Sequence, residues 1–390
     1  MDLRFSAADE AFRAEVKGWL DEHLVGEFAE LRGAGGPGRE HEGFETRRAW
    51  ERLLGRDGWV GIGWPAPHGR GLPLMQQVVF HEEYAKAAAP QRVNHMGENL
   101  LAPTLIAFGT DEQCSRFLPP IANGAELWCQ GYSEPGAGSD LANVATKARL
   151  DGDEWVVTGQ KVWTSLAHLA DWCFVIARTD SGSSRHSGLS YLLVPMDQPG
   201  VDVRPIVQLT GTSEFNEVFF DGARTAAANV VGEPGDGWRV AMGTLGFERG
   251  VATLGQQIGF GRELDAVIDA ARRTGAVDDP LLADRITRAW IDLRVLRYTA
   301  LRMLTADASS GAPSDAGASI SKLLWAGWHQ RLGELAMSVL GADSTEVAAS
   351  GGLDDLQRLF LFSRSDTIYG GSNEIQRDII ARRVLGLPRG

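Results

Sequence analysis

The sequence predicts an α+β fold in three consecutive segments, and three observations predict it. Apolar residues recur at helical spacing up to about residue 124. From about residue 125 to 232 the period shortens to β-branched and aromatic runs separated by turn clusters. From about Gly237 the helical period returns and holds to the end. We therefore expect an N-terminal α-helical domain at 1–124, a middle β-barrel domain at 125–232 and a C-terminal helical bundle at 233–390. At 390 residues the chain can bury a large core, and 44% hydrophobic with 23% charged residues is the balance of an ordinary globular protein.

Each element has its own local signal. Ser6 precedes Asp9 in the manner of an N-cap, and Phe12, Val16, Trp19 and Leu20 follow at helical spacing. Amphipathic runs at Phe44–Leu54, Leu74–Ala88, Asn99–Phe108 and Thr110–Leu118 predict further helices, with a Gly/Pro-rich loop at Gly61–Gly71 between the first two. Strands are expected at Trp155–Val157, Trp172–Ala177, Leu189–Val194, Val201–Arg204 and Phe215–Phe220, with a strand-like run at Gly159–Ser165. The long C-terminal helices are expected at Trp238–Arg273, Pro280–Asp307, Ser319–Leu340, Leu353–Thr367 and Ser372–Leu385. Ser309–Ser314 reads as a flexible connector, and Gly386 and Pro388 stop the last helix.

Composition excludes several function classes. The formal net charge is −13, and both nucleic acid and anionic membranes require a basic footprint, so neither is expected as a partner. Cys114, Cys129 and Cys173 form no CxxC pair and read as buried thiols in a reducing compartment. The eight histidines make no HxxxH or HExxH set, so no metal site is expected. The first dozen residues carry acids and no long apolar core, and no apolar run reaches transmembrane length. A cytoplasmic location is the expectation.

The most informative stretch is Leu127–Ser165, LWCQGYSEPGAGSDLANVATKARLDGDEWVVTGQKVWTS. Ser133–Asp140 is a turn-rich loop whose small residues let backbone N–H groups approach an anion or a flat polar ring. About twenty residues on, Gly159–Ser165 ends in a Trp and two hydroxyls. In this order and spacing the two pieces resemble the flavin-binding signature of the acyl-CoA dehydrogenases, and the resemblance extends over nearly the whole chain. It implies FAD as cofactor, an acyl-CoA substrate and an electron-transferring flavoprotein as acceptor. It also implies a homo-oligomer, dimer or tetramer, with a heterotetramer left open.

The resemblance further assigns residues. Tyr132 and Ser133 would contact the isoalloxazine, with Gly138 and Ser139 nearby, Trp163 against the flavin and Ser165 bonded to its N5 edge. The family often has Thr at that last position, and a Ser hydroxyl can make the same bond. Taken without its neighbours, Trp163 would read as a core tryptophan. From a neighbouring subunit, Arg272 and Thr274 sit where the family contacts the pyrophosphate, although the aromatic that usually follows is Gly275 here. Ser338 stands where an amide side chain is expected, and Ser372 and Glu374 align near the adenosine.

Dehydrogenation next to a thioester needs a carboxylate beside the weakly acidic α C–H. Most of the family carries that Glu directly after a Tyr, but here Ile368-Tyr-Gly-Gly-Ser-Asn-Glu374 puts Gly370 in its place. A minority presents the base from an earlier helix in a Glu-Arg pair, and Glu248-Arg249 is such a pair. Between Arg239 and Arg262 they are the only charged residues, so Glu248 is expected to be desolvated and raised in pKa, with Arg249 moderating the rise. The alternatives are a structural Glu–Arg joint, a flavin oxidase of the same fold, and a catalytically silent FAD-binding subunit. Glycines at 250 and 370 would free volume for a bulky or branched acyl group. Segments 36–41, 92–99 and 210–216 look like actinobacterial relatives acting on steroid-ring CoA thioesters. Asn94, His95 and Glu98 could meet a polar group on such a substrate, or could be ordinary polar residues at a helix start.

Overall fold

A computed structural model describes residues 5–247, 252–310, 315–347 and 352–388. The first helices are α1 (Ala7–His23), α2 (Phe44–Arg56), α3 (Leu74–Lys86), α4 (Ala102–Phe108) and α5 (Asp111–Ala122). The strands are β1 (Trp128–Gly131), β2 (Lys147–Asp151), β3 (Glu154–Ser165), β4 (Trp172–Arg178), β5 (Leu189–Pro195), β6 (Val201–Ile206), β7 (Phe215–Ala226) and β8 (Val230–Val231). Then come α6 (Gly237–Phe247), α7 (Ala252–Thr274), α8 (Pro280–Ser310), α9 (Asp315–Leu340), α10 (Asp355–Ser363) and α11 (Asn373–Ile379). The helical–β–helical order is that expected from the periodicity. Some bounds differ. α6 and α7 fall within the expected run Trp238–Arg273, with 248–251 outside the described residues; α10 stops at Ser363 rather than Thr367, and α8 takes in Ser309 and Ser310.

These elements divide into two compact units. A helical unit comprises Met1–His23, Leu74–Ala89 and Arg249–Gly390, and a sheet unit comprises Leu24–Pro73 and Pro90–Glu248.

In the helical unit, α1 opens on the reciprocal cap read from the sequence. The Asp9 N–H donates to Ser6 Oγ at 3.2 Å and the Ser6 N–H to Asp9 Oδ2 at 2.8 Å. Arg13 on α1 then donates to Glu83 on α3 at 2.6 Å, and Arg297 on α8 pairs with Glu82. The main core joins α7, α8, α9 and α10 through Phe260, Leu264, Val267, Leu296, Trp328, Leu332, Leu335 and Leu359. Each such side chain contributes about 1.5–3 kcal/mol when fully buried.

A charged chain crosses this apolar core. On α9, His329 is 6% exposed; its Nδ1 lies 2.5 Å from Asp366 Oδ2 and its Nε2 2.8 Å from Glu263 Oε2 on α7. Burial alone would lower the imidazolium pKa, but the two carboxylates outweigh it and raise it to about 10. A cation held above its unfolded value stabilises the fold fully below that value, and the contribution fades as pH rises through the folded one. We therefore expect the melting midpoint to fall steadily from about pH 7 to pH 9.5, a window in which few ordinary groups titrate. Thermal melts at half-unit steps check this; a flat profile would contradict the clamp.

In the sheet unit one eight-stranded sheet runs β6-β7-β3-β2-β4-β5-β8, with β1 lying parallel on β4. The hydrogen-bonded path ends on β6 and β8. Strands β4 and β5 are apolar at nearly every position because both faces are covered, and their inward residues Cys173, Val175, Leu192 and Val194 meet Val218 and Phe220 of β7. Beside the sheet, α5 starts on a Thr110–Gln113 capping box.

Candidate flavin and acyl site

The turn-rich loop follows β1 directly. Glu134 and Ala137 exchange two backbone hydrogen bonds of 3.0 Å, which closes the turn. Its anchor is an ion pair. Lys161 on β3, with no side-chain exposure, donates from Nζ to Glu134 Oε1 at 2.7 Å, to the Tyr132 carbonyl at 3.1 Å and to the Ile176 carbonyl at 2.8 Å. Glu134 also accepts the N–H groups of Ala145 at 2.6 Å and Thr146 at 3.0 Å. Burial pushes the Glu134 carboxyl up, but Lys161 and these donors together hold it below the usual range, so it is ionised. The loop is therefore tied to β1, β3 and β4 by buried groups. Gly138 faces open space: a Cβ built there meets nothing within 4 Å. Beside it Ser139 is exposed and Ser133 half-buried.

One side chain departs from the rule that aromatic rings pack inward. The β3–β7 register shifts between Lys161 and Thr164, and Trp163 sits in that bulge with φ +60° and 58% exposure. A left-handed backbone at a bulky residue costs about 1–3 kcal/mol and persists where the surroundings enforce it. The Trp163 ring lies edge-on to Phe215, with centroids 6.2 Å apart. The core reading of Trp163 fails here: the bulge presents a flat apolar face outward. Two residues on, Ser165 is half-buried opposite Phe215. The ring of Tyr132 turns inward instead, edge-on to Phe174 and Tyr191.

Two polar atoms in this region were not singled out from the sequence. Gln130 Nε2 on β1 and Thr164 Oγ1 on β3 are buried and find no hydrogen-bond partner among the described residues. Buried polar groups are rarely left so unless a ligand completes them. The signal in sequence is faint: polar residues in otherwise buried strands. An outward Trp, an open glycine loop and orphaned polar atoms on adjoining strands fit a flat, polar-edged ring system.

Sequence comparison decides the family. The chain matches the acyl-CoA dehydrogenase N-terminal domain at residues 6–125, the middle domain at 129–223 and the C-terminal domain at 235–385. This chain belongs to the acyl-CoA dehydrogenase family. Acyl-CoA dehydrogenase IpdE1 of Mycobacterium tuberculosis is 65% identical over 381 residues, covering 97% of this chain and 98% of that one. Among solved structures, the Tcur3481-Tcur3483 steroid ACAD is similar at TM-score 0.85 and 31% identity, with both chains fully covered. The ChsE4-ChsE5 complex from Mycobacterium tuberculosis follows at TM-score 0.81 and 32% identity, again over the whole of both chains. As an acyl-CoA dehydrogenase the protein is an FAD-dependent oxidoreductase acting on a CH–CH bond.

The remaining assigned residues of this dehydrogenase lie in the helical unit or outside the described residues. Arg272 is in the last turn of α7 and pairs with Asp269 at 2.9 Å. Thr274 ends that helix before Gly275, whose φ of +77° needs the missing side chain. On α9, the Ser338 hydroxyl accepts from Arg285 at 3.0 Å and donates to the Glu334 carbonyl at 2.8 Å. Ser372 caps α11, and Glu374 in its first turn is exposed and paired with Arg377 at 3.2 Å. Glu248 and Arg249, assigned as base and its companion, lie outside the described residues, which resume at Ala252.

For Asn94 and Glu98 the contacts fit the second reading, polar residues with a structural task. Asn94 is fully buried, and its amide is committed at both ends, donating to the Glu126 carbonyl at 2.9 Å and accepting from the Trp128 N–H at 3.1 Å. Glu98 accepts the Gly61 N–H at 3.0 Å and pairs with Arg92 at 3.5 Å. Both side chains thus serve to hold parts of the sheet unit together. Desolvation, with Arg47 nearby, pushes the His95 imidazole down to about 4, so it is neutral. The three flanking segments nevertheless converge. Arg47, 2% exposed, donates to the carbonyls of Glu40 at 2.7 Å and Gln91 at 2.9 Å, and His41 Nδ1 lies 3.2 Å from Glu214 Oε1.

Because Trp163 is exposed, Trp163→Ala should leave the melting of the flavin-free protein within about 0.5 kcal/mol. It should weaken FAD binding by about tenfold, the scale of one aromatic stacking contact. Equilibrium dialysis of FAD against both proteins measures it; unchanged affinity would remove Trp163 from the site.

Proposed function

We propose that this acyl-CoA dehydrogenase forms the α,β double bond of a bulky, branched or steroid-ring-derived acyl-CoA thioester, with Glu248 as the base. The observation that carries the reading is Gly370. The loop position from which most of the family presents its carboxylate is a glycine at φ +61° followed by Gly371 at φ +84°, so that position offers no proton acceptor. Glu248, in the Glu-Arg pair, takes the α proton onto its carboxylate while Arg249 limits how far its pKa rises. Bound FAD would supply the hydride acceptor for the β hydrogen. Gln130, Thr164, Ser165 and Trp163 would hold its ring system, and the Lys161–Glu134 pair keeps the Ser133–Asp140 loop fixed. Electrons then pass to an electron-transferring flavoprotein, in a cytoplasmic setting. No described helix is long and apolar enough to cross a membrane.

The assembly we propose is a homo-oligomer, dimer or tetramer, whose neighbouring subunit supplies Arg272, Thr274 and Ser338. Similarity to a ChsE4-ChsE5 complex favours a second reading, a heterotetramer in which this chain binds FAD beside a different subunit. Anaerobic titration of the purified protein with acyl-CoA thioesters, from short straight chains to steroid-ring acids, tests the reading through flavin absorbance. Bleaching by the bulky class supports it. Full FAD content with spectral shifts but no bleaching by any thioester would contradict it and favour the silent-subunit alternative. Oxygen consumption during turnover would mark a flavin oxidase instead.

A further inference from the structure

The loop that carries Gly370 has two adjacent left-handed glycines and would be slack on its own. Instead it is fastened at nearly every residue. Gln330 Nε2 donates to Thr367 Oγ1 at 3.0 Å, the Asn373 N–H donates to the Thr367 carbonyl at 3.0 Å, and Gln376 Nε2 donates to the Gly370 carbonyl at 3.2 Å. At its centre is Asp366, 1% exposed, with both carboxylate oxygens engaged: one by His329, the other by the Tyr369 hydroxyl at 2.7 Å. Lys322 donates to the Asp366 carbonyl and lies over the rings of Trp325, at 4.2 Å, and Tyr369, at 4.6 Å. A continuous chain thus runs from Glu263 on α7 through His329 and Asp366 to the phenol of Tyr369, which is 37% exposed.

Holding helices together does not require such a chain. Replacing buried ion pairs by apolar side chains of similar volume is often neutral or stabilising, so helix packing alone does not account for the chain. What an apolar core could not do is fix the direction of a half-exposed phenol. Both hydroxyl and ring of Tyr369 are constrained, one by Asp366 and the other by Lys322 and Trp325. Tyr369 immediately precedes the position that, in most of the family, reaches the α carbon.

We propose that His329 and Asp366 are positioning residues for the acyl group: through them Glu263 and α9 aim Tyr369, so that its ring and the Gly370–Gly371 turn form a fixed wall against which a bulky acyl chain packs. This rests on the dehydrogenase reading above, with the base supplied from outside the loop. His329 is a tether and not a switch, because its imidazolium persists throughout the neutral range.

The test uses the full-length FAD-loaded protein. Dissociation constants for butyryl-CoA and for a fused-ring acyl-CoA are measured anaerobically from the shift in flavin absorbance. Tyr369→Phe removes only the last link and leaves every buried charge in place, so it should fold and hold FAD as before. We expect it to weaken fused-ring binding by about three- to tenfold, the scale of one hydrogen bond, and butyryl-CoA by less than about twofold. Asp366→Asn should shift the ratio of the two constants in the same direction, and the double variant should add little to either, since both cut one chain. A purely structural role predicts changed melting with an unchanged ratio. An unchanged ratio in Tyr369→Phe at full FAD content would overturn the proposal, and this variant decides alone if Asp366→Asn does not fold. The ratio needs no turnover, so it is separate from the bleaching of the unaltered protein, whose absence would overturn the dehydrogenase reading instead.

Discussion

Glu248→Gln should slow flavin reduction by about a hundred- to ten-thousand-fold while leaving FAD content and melting unchanged. The size is that of a general base removed from a reaction that cannot proceed without one. The substitution keeps side-chain volume and one acceptor oxygen, so substrate still binds and the loss falls on the reduction rate rather than on the dissociation constant. Stopped-flow reduction under anaerobic conditions separates the two. The assignment rests on sequence: Glu248 and Arg249 are the only charges between Arg239 and Arg262, and Gly370 excludes the usual alternative. Near-normal reduction by Glu248→Gln would mean that the pair only joins α6 to α7. The base would then have to be sought elsewhere.

Lys161→Met should be the most damaging change to the folded protein. Lys161 has 0% and Glu134 6% side-chain exposure, so removing the cation strands a carboxylate among buried atoms. Breaking such a pair costs about 3–5 kcal/mol. The same change frees the Tyr132 and Ile176 carbonyls from their donor, so the loop between β1 and β2 should loosen and FAD content should drop. Adding Glu134→Gln to Lys161→Met should recover much of the stability, because a neutral amide is far less costly to bury than an unpaired carboxylate. Flavin binding should recover less, since the carbonyls remain without their donor. Denaturant melts and bound-flavin absorbance on the single and double variants check both parts. Equal stability of the two would show that the pair is dispensable.

Much of the candidate site could be read along the chain because its parts lie close in sequence. Ser133–Asp140 and Gly159–Ser165 are bound to each other locally, with the Val162 N–H on the Ser133 carbonyl at 2.9 Å. Their spacing was therefore enough to find them. Less legible was Trp163, whose outward direction depends on a register shift between β3 and β7, residues more than fifty positions apart. Gln130 and Thr164 were invisible as candidates, because a missing partner is a property of the packed state and not of a residue type. Asn94 and Glu98 had two readings in sequence, and their contacts fit the structural one. Polar residues near a helix start look available until the groups that saturate them, Trp128, Glu126 and Gly61, arrive from elsewhere in the chain.

By itself the sequence determined the order of helices and strands, and its motifs carried the resemblance to the family. The order follows from local spacing: a 3.6 or 2.0 residue period records which face of an element is buried. Only the tertiary structure decided what each buried face lies against. The first 124 residues read as one helical domain, yet α1 and α3 belong with the C-terminal helices while α2, α4 and α5 belong with the sheet. Likewise nothing in the spacing of Glu263, His329, Asp366 and Tyr369 announces a chain of contacts. Periodicity carries no address for a partner, and a charge becomes a tether only when folding removes the water that would otherwise solvate it.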